Sequence, residues 1–89
     1  MVTNEQESLA CEMLKVHIDL RDGIISKMEH ALYIKALSQR MVKTIDKEEP
    51  IQILLCQTME RTIASCEETI KSELELAKAV IKAYEETIE

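Results

Sequence analysis

From residue 55 to residue 88, apolar side chains recur at steps of three and four. They are Leu55, Met59, Ile63, Cys66, Ile70, Leu74, Ala77, Ile81, Tyr84 and Ile88. That spacing follows one face of an α-helix. No Gly or Pro interrupts the chain after Pro50, so the pattern predicts one unbroken helix over 50–88.

The first half repeats the pattern. Leu9, Met13, Val16, Leu20 and Ile24 lead through Met28 or Ala31 to Ile34, then to Met41 or Val42, and to Ile45. The mean step is close to that of a helix, so helix one is expected over 4–45. Thr3 with Gln6 has the spacing of a capping box, and Asn4 with Glu7 is an equally spaced alternative. Gly23 is the one weak point, costing about 1 kcal/mol relative to Ala. It either kinks helix one or breaks it into a short N-terminal helix and a longer second one.

The strong boundary is Ile45-Asp46-Lys47-Glu48-Glu49-Pro50. Either Asp46 caps helix two, with Glu48 and Glu49 in its first turn, or Glu49 precedes the helix and Pro50 takes its first position. Both choices leave a turn of only 46–50, which makes the helices antiparallel neighbours. The predicted fold class is therefore all-α: a long antiparallel helical hairpin in one domain, 1–89, roughly 60 Å long at 1.5 Å per residue.

A seam between two helices satisfies one stripe on each, and here there is a second stripe. On helix one it runs Ala10, Leu14, Ile18, Ile25, Met28 and Leu32; on helix two it takes in Ile53, Cys56, Leu76, Val80 and Ala83. Apolar surface of that extent usually marks an interface. The expected partner-binding residues are Leu14, Ile18, Ile25, Met28 and Leu32, with Leu76, Val80 and Ala83. Their cover is a second copy, giving a homodimeric four-helix bundle, or another helical protein. The soft side chains of Met13, Met28, Met41 and Met59 suit such adaptable contacts.

Composition sharpens this picture. One Gly, one Pro, no Trp and no Phe, with Tyr33 and Tyr84 as the aromatics, fit helix–helix seams better than a sheet. The net charge is −6. The basic residues Lys35, Arg40, Lys43 and Lys47 gather near the end of helix one, where they oppose the macrodipole. The acidic total argues against nucleic acid and anionic membranes as partners. No apolar run is long enough to span a bilayer, and the N-terminus lacks a basic stretch followed by an apolar one. A cytoplasmic location is expected.

Catalytic and metal chemistry have little support. Neither His17 nor His30 has a carboxylate or thiol at helical spacing in its own helix. There is no Cys-x-x-Cys and no Gly-rich phosphate loop. Cys56 and Cys66 stand about 15 Å apart on one helix, too far for a disulfide. Cys11, Cys56 and Cys66 are expected to be reduced thiols. An antiparallel hairpin brings Cys66 past Ala31, within reach of His30, as a core thiol beside an imidazole. No enzyme activity, cofactor or metal is expected. A regulator or viral accessory protein that binds and inhibits a partner is an alternative reading. So is a helical bundle that sequesters a small ligand with Tyr33, Lys35 and Arg40.

The run Asp46-Lys47-Glu48-Glu49-Pro50-Ile51-Gln52, followed by Leu55, Met59-Glu60, Ile63, Cys66-Glu67 and Ile70, resembles the small co-chaperones of type III secretion. The resemblance covers residues 25–72. It implies a helical hairpin that joins a second, helical-repeat chaperone and keeps a needle subunit unpolymerised in the cytoplasm. The chain departs from that family by lacking an aromatic after its turn.

Overall fold

The computed structural model describes residues 2–88. Three helices follow one another: α1 over Asn4–Arg21, α2 over Lys27–Val42 and α3 over Pro50–Ile88. No strand occurs among the described residues. The chain is all-α.

Helix one is not continuous, and Gly23 is the reason. Its φ is +74°, a left-handed conformation that glycine adopts without a Cβ penalty. The Ile24 N–H donates to the Asp19 carbonyl at 2.9 Å and the Gly23 N–H to the Leu20 carbonyl at 3.1 Å. Those two bonds make a Schellman stop, which satisfies carbonyls that the end of α1 leaves open. A new start follows at once. The Ser26 hydroxyl accepts from the Glu29 N–H at 3.1 Å, and the Glu29 carboxylate accepts from the Ser26 N–H at 3.0 Å. This capping box reciprocates the one at Thr3 and Gln6, where both bonds are also present.

The stop turns α1 back along α2. The two are antiparallel, with Gln6 bonded to Thr44, Glu12 paired with Arg40 at 3.5 Å, and His17 against His30. α2 is in turn antiparallel to α3. Met41 lies with Leu55 and Met59 at one end, Ala31 and Ile34 with Cys66 and Ile70 further along, and Lys27 reaches Glu73 at 3.9 Å. α2 packs on both other helices, while α1 and α3 meet through side chains alone.

The core lies where all three overlap. Leu9, Leu37 and Met41 form one buried cluster, and Ala31, Ile34 and Cys66 form another. Met13 and Val16 of α1 pack against both, joining them. The α1–α2 face follows the periodicity at Leu9, Met13, Val16, Ala31, Ile34 and Met41. Ile24, beyond the stop, is 70% exposed.

Pro50 takes the first position of α3. The Glu49 carbonyl accepts from the Ile53 N–H at 3.0 Å, so the helix begins there. Asp46 does not cap α3. Its carboxylate accepts from the Glu48 N–H at 3.0 Å and closes the turn instead.

Candidate interaction surface

The fold-back at Gly23 leaves α3 longer than its cover. α2 starts at Lys27, level with Glu73, so residues 74–88 extend beyond it. This overhang is about 22 Å long at 1.5 Å per residue. The seam stripe of α3 continues onto it without a partner: Leu74 is 47% exposed, Ile81 56% and Tyr84 67%. In the uninterrupted 4–45 helix expected from the periodicity, the stretch before Gly23 would have covered these residues. Instead it lies along α2.

The overhang carries large apolar side chains over a wider arc than the stretch of α3 that packs on α2, and the start of α3 bears Ile51, Ile53 and Leu54, likewise exposed. Where α2 covers the helix, the large apolar residues Leu55, Cys56, Met59, Ile63, Cys66 and Ile70 occupy an arc of about 100° at 100° per residue. Beyond α2, the large residues Leu76, Val80, Tyr84, Ile88, Ile81 and Leu74 span about 160°, broken only by Thr87. Charge is confined to the remaining strip, with Glu75, Lys78, Lys82, Glu85 and Glu86. The sector that carries Thr58, Arg61, Ser65 and Ser72 alongside α2 carries Leu76, Ala79, Val80 and Ala83 on the overhang.

The sequence-predicted partner residues fall into two places. Leu76, Val80 and Ala83 are exposed on the overhang. Leu14 and Ile18 are exposed on α1 and Leu32 on α2, while Ile25 and Met28 are half-buried near the reversal. The fold does not join these groups into one stripe, because α1 folds back before it reaches the overhang. Periodicity did not reveal that the overhang's seam residues Leu74, Ile81, Tyr84 and Ile88 would themselves be bare. The Ser26–Glu29 box just after Gly23 was the signal that could have done so.

Other clusters are smaller. The Nε2 of His30 and the Nδ1 of His17 are 2.8 Å apart at the closed end of α1 and α2, so one ring donates and the other accepts. Desolvation, reinforced by the neighbouring His17, lowers the pKa of His30 below 6.5. His30 thus has His17 as its ring partner, while Cys66 packs on Ala31 and Ile34. Burial raises the pKa of the Cys66 thiol, with Lys35 opposing. Desolvation and then the bond to Glu60, 3.4 Å away, raise that of Cys56. Neither environment favours a thiolate nucleophile. Cys11, Cys56 and Cys66 are all free.

Tyr33 and Arg40 line an open groove of ≈ 520 Å³ between α1 and α2. Lys35 faces a different groove with Glu67, Ile70 and Lys71, so the three residues suggested for ligand capture do not converge. Among the described residues, no three His, Cys, Asp or Glu side chains gather as a metal cluster. No helix among them is long and apolar enough to cross a membrane.

No protein-family model matches the chain, and neither the curated proteins nor the solved structures give a match.

Proposed function

We propose that the chain is a non-enzymatic protein–protein interaction module that acts in the cytoplasm and docks through the overhang of α3. The observation that carries this reading is the seam stripe of α3 running on bare past the start of α2, at Leu74, Ile81 and Tyr84. An isolated surface helix needs one apolar face turned to its own core, whereas this segment presents its apolar face with no core of its own beneath it. The resemblance to secretion co-chaperones supports a more specific form, since residues 25–72 take in all of α2 and nearly all of the covered part of α3.

The test is recovery of the tagged chain from its native cells, followed by size-exclusion chromatography with light scattering. The reading expects a stoichiometric complex, with itself or with another helical protein, that Val80→Asp and Tyr84→Asp each dissolve. Both side chains are more than half exposed, so the bundle itself tolerates the change. Recovery of a monomer alone, or of a complex indifferent to both substitutions, would falsify the reading.

A further inference from the structure

We infer that the overhangs of two copies pair with each other, antiparallel and centred on Ile81. This rests on the reading above and names the partner: a second copy of this chain.

Register supports the pairing first. Leu74, Ala77, Ile81, Tyr84 and Ile88 follow alternating steps of three and four, the repeat of a coiled-coil seam. With Ile81 opposite its symmetry mate, Tyr84 of one copy sits over Ala77 of the other, a large side chain over a small one. Leu74 then meets Ile88. The same register places Lys78 of each copy opposite Glu85 of the other along one edge of the seam, giving two equivalent Lys–Glu ion pairs related by a two-fold axis. On the other edge Val80 meets its mate, which adds one more large apolar side chain to the contact. Such an interface is isologous and closes at two copies.

Continuity supports it second. The seam face of the overhang is the same face that α2 covers further back, and α2 is antiparallel to α3. A second copy's overhang would therefore extend the line of α2 along one continuous seam. Its negative C-terminal dipole end would arrive at the positive N-terminal end of α2, beside Lys27. The lengths agree, because Ile88 falls opposite Leu74, where α2 begins.

Area supports it third. Five large side chains, Leu74, Val80, Ile81, Tyr84 and Ile88, at roughly 100 Å² apiece for burial of 1.5–3 kcal/mol each, offer on the order of 500 Å² per copy. Two copies then bury on the order of 1,000 Å², about the least that a specific interface needs.

The experiment is sedimentation equilibrium of the purified full chain, reduced, with circular dichroism as the fold control. The wild type is expected to dimerise, and Ile81→Asp to give a monomer of unchanged helical bundle. Lys78→Glu and Glu85→Lys should each weaken the dimer about tenfold, through two like-charged pairs. The double variant K78E/E85K should restore it. That rescue requires the antiparallel register, since a parallel pair does not place these two positions together. A wild-type monomer at all concentrations, a dimer indifferent to Ile81→Asp, or a double variant no better than the singles each overturns the proposal. A wild-type monomer that still forms a Tyr84-dependent complex in cells would overturn self-pairing alone and leave the interaction reading standing.

Discussion

Gln6 and Gln52 face each other through two reciprocal amide hydrogen bonds, Gln6 Nε2 to Gln52 Oε1 at 2.7 Å and Gln52 Nε2 to Gln6 Oε1 at 3.0 Å. Each residue is 1% exposed. Gln6 also serves the capping box of α1 and donates to the Thr44 hydroxyl at 3.0 Å. One side chain thus ties the start of α1 to the end of α2 and the start of α3. Removing one partner strands a buried amide, which costs about 1–3 kcal/mol, while replacing both with apolar residues of similar shape is much less costly. Gln52→Leu alone is expected to destabilise by about 2 kcal/mol in urea unfolding. Gln6→Leu should cost more, because it also removes the cap. The double variant should cost less than the two singles added together. Strict additivity would show that the amide pair is not coupled.

The His17–His30 contact makes stability depend on pH. The pKa of His30 is lowered in the folded state below its ordinary 6.5 by desolvation and by His17. The unfolded chain therefore binds a proton that the folded chain resists. Stability from this site is complete above pH 6.5 and declines as the pH falls through and below that value. Urea midpoints measured between about pH 7.5 and pH 5.5 should fall with acid, and His30→Gln should flatten the slope. An equal slope in both proteins would place the acid sensitivity elsewhere.

Gly23→Ala tests the reversal. A Cβ there meets nothing within 4 Å, so any cost comes from the backbone at φ +74°. The expected loss is about 1–2 kcal/mol, the penalty of a left-handed non-glycine residue. Gly23→Asn should cost less, because Asn tolerates this region. If thermal unfolding ranked Asn below Ala, the left-handed explanation would be wrong.

The Ser38 hydroxyl is fully buried and has no hydrogen-bond partner among the described residues. A stranded buried polar group costs about 1–3 kcal/mol. Ser38→Ala also improves helix propensity. The variant is expected to raise the unfolding midpoint, by about 1 kcal/mol of stability. A lower midpoint would mean that the hydroxyl is satisfied in solution.

Much of the fold could be read from residue spacing, and the reasons for the exceptions are physical. The seam positions Leu55, Met59 and Cys66 follow from period alone, as do Leu9, Ile34 and Met41. Period cannot distinguish a helix that continues past Gly23 from one that stops and restarts, because a reversal of a few residues preserves the apparent phase. The local chemistry separates the two cases: glycine at the left-handed position, then Ser26 and Glu29 at capping distance. The candidate surface was legible only in part for the same reason. Leu76, Val80 and Ala83 stand out as a second stripe in the sequence, yet the exposure of Tyr84 and Ile88 depends on where α1 goes. Leu37 and Ser38 entered the core because α1 and α3 approach α2 from two sides, which a two-helix hairpin does not provide.

The uncovered end of α3 has a mechanical consequence. It is a stiff arm about 22 Å long anchored at one end in the bundle, so a tilt of about 10° where it leaves α2 moves its tip by about 4 Å. Anything that grips Tyr84 or Ile88 therefore applies torque near the Lys27–Glu73 level, where the seam with α2 begins. The arm carries small forces at its tip back to the start of α2 and to the reversal beside it.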